Sequence, residues 1–106
     1  MRDIMGLMKK AQEMQTKMAQ VQSELDATEV TGVSGGGIVS VTMTAKGDLK
    51  NIDIDQSVLK AEEKDIVQDL IIAAHADARR KAEQIAQEKM QEATAGLPLP
   101  PGMKLF

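Results

Sequence analysis

The apolar residues at the start of the chain recur at alternating spacings of three and four, from residue 3 to residue 26. This stretch contains no Pro, and its one Gly is Gly6. Such spacing is the a/d pattern of a heptad repeat, which places all of these residues along one side of an α-helix. The predicted helix therefore has an apolar seam formed by Ile4, Leu7, Ala11, Met14, Met18, Val21 and Leu25. Two interpretations stay open: a coiled coil, or an amphipathic helix lying on the protein's own sheet.

The middle of the chain alternates with period two instead, as a half-buried strand does. Strands are predicted at 28–33, 39–46 and 49–54, because apolar and polar residues alternate there. Three consecutive glycines at 35–37 and the Lys-Gly-Asp at 46–48 separate them as turns. The pattern predicts a three-stranded antiparallel meander with two open edges.

A second long helix is predicted from about residue 62 to 93, after a turn capped by Asp55. Beyond Ile72 its apolar stripe becomes rich in Ala, so we expect this half to have little to bury. The two helices would span roughly 35 and 45 Å, against about 17–26 Å for the strands. Both helices should therefore overhang the sheet, and their overhanging ends should be solvent-exposed arms or contact surfaces.

The fold class that follows is α+β: a long helix, a three-stranded meander and a second long helix. We expect one domain over residues 1–95, and an extended Pro-rich tail over 96–106 after Gly96 ends the helix. A core with 1% aromatic residues in a chain of 106 must be built from small side chains, and this raises the expectation of an oligomer.

Composition argues against catalysis and against cofactors. There is no Cys and a single His, His75, so thiolate sites and multi-histidine metal sites are excluded. No Ser lies in the context of a nucleophile elbow, and we expect no enzyme, cofactor or metal. No apolar run is long enough to cross a membrane, and the N-terminus lacks a secretory apolar region, which predicts a cytoplasmic protein.

Six basic residues are candidates for contact with an anionic partner, although the formal net charge is -3. A local basic patch can act on an acidic protein because salt screens charges over about 8–10 Å. Three candidates occupy outer f and g positions of the first helix, and three are consecutive in the second helix, where they fan over about 200°. They are Lys9, Lys10, Lys17, Arg79, Arg80 and Lys81.

Surface ion pairing is the plainer interpretation of these charges. It leaves Arg80, Lys9 and Lys10 without a favourable partner four residues away. The pairs with that spacing are Asp77 with Lys81, Arg79 with Glu83, and Glu13 with Lys17. If nucleic acid is bound, the absence of Trp and Tyr removes base-stacking platforms. Duplex backbone contact by Lys and Arg, with little sequence preference, is then the expected mode.

Several short stretches, spread over nearly the whole chain, are shared with a known group of proteins. They are GLMKKAQ at 6–12, EVTG at 29–32, SGGG at 34–37, DLIIAA at 69–74 and LPPGMK at 99–104. In this combination the sequence resembles the YbaB/EbfC family of bacterial nucleoid-associated proteins.

The resemblance implies an α+β homodimer whose sheets help to form a joint body and whose long helices project as a pair of tweezers. It implies binding of duplex DNA at the nucleoid, without catalysis, and an effect on nucleoid organisation and gene expression. The family's basic helical residues correspond to the same six candidates. Two alternatives stay open: an adaptor that binds a protein partner through the Met-rich helical surface, and an RNA-binding module.

Overall fold

The computed structural model describes residues 2–95, apart from the side chain of Arg2, and has the predicted α+β order. The long elements are α1 (Arg2–Ala27), β1 (Glu29–Ser34), β2 (Val39–Thr44), β3 (Leu49–Ile54) and α2 (Lys64–Thr94). Short 3-10 turns at Gly35–Gly37, Gln56–Val58 and Ala61–Glu63 connect them. Asp55 caps the second of these turns by accepting a hydrogen bond from the Ser57 N–H at 2.8 Å. The predicted extended tail and the helix end at Gly96 lie outside the described residues.

The three strands form the predicted antiparallel meander in the order β1-β2-β3. Val41 on β2 lies opposite Gly32 on β1 and Ile52 on β3, so these three residues lie on one face of the sheet. The β1–β2 turn has φ values of +60°, +71° and +103° at Gly35, Gly36 and Gly37. Three consecutive residues in the left-handed region require glycine, which explains the Gly-Gly-Gly run.

Helix α2 lies across β1 and β2 at very close range. Ala74 and Ala78 are fully buried, and a Cβ atom added at Gly32 would lie 2.7 Å from Ala78 Cα and nearer still to the α2 backbone. The prediction that the Ala-rich part of α2 has little to bury is therefore wrong. Small side chains on the helix and a glycine on the strand let the two backbones come into contact. The helix is therefore packed tightly against the sheet although it buries no large side chains at these positions.

Helix α1 packs against α2 rather than lying on the sheet. Val21 and Leu25 are buried against the C-terminal half of α2, in an apolar cluster completed by Ala45, Ile85, Ala86, Met90 and Ala93. The two helices run antiparallel, because Glu24 pairs with Lys89 at 3.4 Å whereas Lys17 shares a groove with Glu92. Both helices thus extend beyond the sheet, as predicted, and their extensions pair with each other. A coiled coil stays a prediction.

The molecule is consequently elongated, measuring 72 × 25 × 16 Å. The N-terminal half of α1 runs past the end of α2, and its residues 3–13 are all exposed. Over residues 2–95 neither long helix has a stretch apolar enough to cross a lipid bilayer.

Strand β3 is left without cover on the face that α2 occupies. Its apolar residues Leu49, Ile52 and Ile54 pair with Met43, Val41 and Val39, whose side chains lie on the α2 side of β2. Leu49 is nevertheless 52% exposed and Ile52 39% exposed. The register thus places Ile52 on the same face as the core residue Val41, but Ile52 stays partly exposed because α2 crosses the other two strands.

Candidate nucleic-acid interface

The basic residues of α1 lie on its projecting part. Lys9 and Lys10 are exposed on the segment beyond the end of α2, and Lys17 is exposed where the two helices begin to pair. The predicted ion pair between Glu13 and Lys17 is not among the ion pairs within residues 2–95. These ammonium groups therefore stand on a narrow helical arm, open to a large partner from several directions.

The basic run of α2 lies over the sheet rather than on the projecting arm. Arg79 pairs with Glu83, with 3.2 Å between Nε and Oε1, as the spacing predicts, and its side chain remains 68% exposed. Lys81 pairs with Asp77 at 3.3 Å, also as predicted. Arg80 has no ion-pair partner four residues away within residues 2–95, as predicted, but its guanidinium reaches back three residues to Oδ1 of Asp77. Considering only residues four apart misses this ion pair, because residues three apart are also neighbours on a helix.

Asp77 is the centre of this cluster. Its Oδ2 accepts a hydrogen bond from the backbone N–H of Val33 at 3.0 Å, and its side chain is 19% exposed. The Val33 hydrogen bond lowers the pKa of Asp77, with smaller contributions from Lys81 and Arg80, against an opposing effect of burial. The carboxylate is thus held ionised between a strand edge and two cations.

Lys81 also binds the backbone at the outer edge of β1. Its Nζ donates a hydrogen bond to the Thr31 carbonyl at 2.8 Å, next to the contact that Val33 makes with Asp77. Side chains one helical turn apart on α2 therefore satisfy outward-facing backbone groups of β1. An open strand edge is a template for unwanted pairing, and this arrangement covers it. Lys81 consequently has a structural role that its place in a basic run did not reveal.

The two basic groups are not brought together within one chain. Lys17 lies level with Glu92, so the path from Arg80 along α2 and on to Lys10 along α1 is about 30 Å. That span is close to one turn of a DNA duplex, roughly 34–36 Å. The geometry suits contacts at separated phosphates rather than a single concentrated patch.

A further basic residue, Lys46, was not singled out from the sequence. It lies in the β2–β3 turn and lines a groove of about 310 Å³ together with His75, Arg79 and Glu83. No sequence signal links residue 46 to residue 79, because the strand register and the position of α2 create the contact. Within residues 2–95 no cluster of three His, Asp or Glu side chains is arranged to hold a metal ion.

Comparison with known proteins gives a consistent result. The model of the YbaB/EbfC DNA-binding family matches residues 1–97. A nucleoid-associated protein of Methylocella silvestris is 61% identical over 105 residues, which are 99% of this chain and 98% of that protein. A nucleoid-associated protein of Agrobacterium fabrum is 56% identical over 105 residues, again 99% and 98% of the two chains.

A solved structure has the same fold. The crystal structure of an uncharacterized protein from Helicobacter pylori superposes with a TM-score of 0.69 at 28% sequence identity. The match covers 84% of this chain and 90% of that one.

Proposed function

The chain belongs to the YbaB/EbfC DNA-binding family, and from this premise we propose that it is a non-catalytic protein that binds duplex DNA at the nucleoid. The observation that carries the proposal is the exposed set of lysines on the α1 arm, of which Lys9 and Lys10 stand beyond the end of α2. The ammonium groups on such an arm are suited to binding the phosphates of a DNA backbone, because these phosphates offer regularly spaced negative charge.

Contacts of this kind position a protein on DNA but carry no base information. Lys9, Lys10 and Lys17 present ammonium groups, and Arg79 and Arg80 present exposed guanidinium groups. We therefore propose binding with little sequence preference and strong dependence on salt. An effect on nucleoid organisation and gene expression would follow from occupancy along the chromosome rather than from recognition of one site.

We further propose that the protein acts as a homodimer joined through β3. The apolar face of this strand lies uncovered beside α2, with Leu49 52% exposed. The opposite edge of the sheet, on β1, is already covered by Asp77 and Lys81. A second copy is the simplest cover for β3, since a two-fold contact pairs like surfaces. Two such bodies would carry two α1–α2 arms, between which a duplex can be gripped.

The test compares two variants that remove the same charge from different places. In the arm variant Lys9 and Lys10 become Gln. In the control variant Lys60 and Lys64, which are exposed lysines away from both the arm and β3, become Gln. Mobility shifts and fluorescence anisotropy with several unrelated duplexes measure affinity. Since both variants lose two positive charges, a difference between them reflects position and not net charge.

We expect the arm variant to lose at least tenfold in affinity for every duplex and the control variant to lose much less. Equal losses would overturn the arm as the contact surface. The adaptor alternative predicts instead that the arm variant keeps its DNA affinity, and that polar substitutions at Met14 and Met18 remove a protein partner from a protein that still folds. Met14 and Met18 offer little exposed surface to a protein partner, because both are half-buried along the α1 seam.

A further inference from the structure

The apolar seam of α1 loses its cover where α2 ends. Val21 and Leu25 are buried by α2, and Met14 and Met18 are half-buried. Further towards the N-terminus the same seam is open: Leu7 is 65% exposed and Ile4 56% exposed, and Ala11 is exposed as well. Three consecutive seam positions therefore present apolar surface to water on the side that α2 covers elsewhere.

The pairing of the two helices shows where the end of the described chain lies relative to α1. Glu24 is paired with Lys89, and Lys17 shares a groove with Glu92 and Ala93. Because the helices are antiparallel, the last turn of α2 lies level with residues 17–18 of α1. The chain beyond Ala95 thus starts beside the seam, at the boundary between its covered and uncovered parts.

The segment that starts there is suited in length and composition to the open seam. Residues 96–106 number eleven, and an extended chain of this length reaches about 34 Å at roughly 3.1 Å per residue. The seam from Lys17 to Ile4 measures about 20 Å, since a helix rises 1.5 Å per residue. The segment carries apolar side chains at Leu97, Leu99, Met103, Leu105 and Phe106.

We propose that residues 96–106 dock along the open seam of α1 in the same chain, covering Ala11, Leu7 and Ile4. This goes beyond DNA binding and is independent of it. A tethered segment has a high effective concentration at a surface next to its attachment point, which favours it over a second copy as the occupant. The prolines at 98, 100 and 101 reduce the conformational entropy lost on docking. Lys9 and Lys10 occupy f and g positions and stay accessible.

The absence of cysteine from the chain allows a clean crosslinking experiment. At about 3.1 Å per residue, residue 99 reaches the level of residues 7–11. The full-length variant Ala11→Cys/Leu99→Cys places one thiol on the seam and one on the docked segment. The control variant Glu13→Cys/Leu99→Cys moves the helix thiol about 200° around α1, to the far side, at a similar distance along it. Both are oxidised at low concentration, and mass spectrometry separates crosslinks within one chain from crosslinks between chains.

Docking predicts a disulfide within one chain for the Ala11 variant that forms at least tenfold faster than the one in the Glu13 variant. Equal rates would overturn the proposal, because they would show that residues 96–106 approach both sides of α1 equally. A disulfide mainly between chains would also overturn it and would identify a second copy as the occupant.

Hydrogen exchange gives an independent readout without cysteine. Leu99→Ser/Met103→Ser should speed amide exchange at least severalfold in residues 4–11 and leave residues 18–27 unchanged. Unchanged exchange in residues 4–11 would contradict docking. The two experiments do not depend on DNA, so their failure would leave the proposed function standing.

Discussion

The carboxylate of Asp77 accepts a hydrogen bond from the backbone N–H of Val33 at 3.0 Å, and so joins the middle of α2 to the outer edge of β1. One helical turn on, Lys81 donates to the carbonyl of Thr31 at 2.8 Å. Together the two contacts block one edge of the sheet. They also leave β3, on the other side of the sheet, as the uncovered strand to whose apolar face we assign the dimer contact.

Asp77→Asn should make folding stability less sensitive to acid. The pKa of Asp77 is lowered in the folded state, mainly by the Val33 hydrogen bond. The resulting stabilisation is present above the ordinary carboxyl pKa and is lost as the pH falls through the lowered value. Denaturant unfolding should therefore show the variant less stable than the parent near pH 7, with the difference shrinking towards pH 3. An equal difference at both pH values would contradict the assignment.

Gly32→Ala should destabilise the fold by about 3 kcal/mol, because its Cβ would collide with the α2 backbone at Ala74 and Ala78. The matched control is Gly6→Ala, which meets nothing within 4 Å on the exposed part of α1. That change should preserve stability and raise helicity, since Ala exceeds Gly in helix propensity by about 1 kcal/mol. Thermal unfolding followed by circular dichroism measures both, and a harmless Gly32→Ala would refute the close helix–sheet contact.

Lys81→Ala and Arg79→Ala should differ in their effect on stability. Lys81 holds the carbonyl of Thr31, so its removal should cost about 1 kcal/mol in the free energy of unfolding. Arg79 makes an exposed ion pair with Glu83, and its loss should change stability by less than about 0.5 kcal/mol. Chemical denaturation of the two variants decides this, and equal values would remove the structural role of Lys81.

Leu49→Glu should convert the proposed dimer to a monomer, because it introduces a charge into the uncovered face of β3 at a residue that is 52% exposed. Asn51→Glu serves as the control, since residue 51 is exposed on the other face of the same strand. Light scattering coupled to size exclusion gives the solution mass. A dimer that survives Leu49→Glu in a folded protein would place the contact elsewhere.

Much of the fold could be predicted from periodicity alone. Strand β3 was predicted at the observed Leu49–Ile54, because its alternation and flanking turn residues are local signals. The burial of Ala74 and Ala78 could not be predicted in this way. It depends on Gly32 lying opposite them, which is a contact between elements far apart in sequence.

The candidate site shows the same division. The exposure of Lys9, Lys10 and Lys17 was predicted from heptad positions and found. The hydrogen bond of Lys81 to Thr31 was missed because it spans 50 residues of sequence. Whether the six basic residues bind DNA stays a prediction.

DNA binding by the exposed basic residues is tested most directly by the slope of the logarithm of DNA affinity against the logarithm of salt concentration. It should be measured for the parent and for a variant with Gln at positions 9, 10, 17, 79 and 80. Each phosphate contact contributes about 0.9 to the slope. We predict a steep slope for the parent that falls by at least about 2 in the variant, for duplexes of any sequence. The same slope for both proteins would contradict the assignment of DNA binding to these residues.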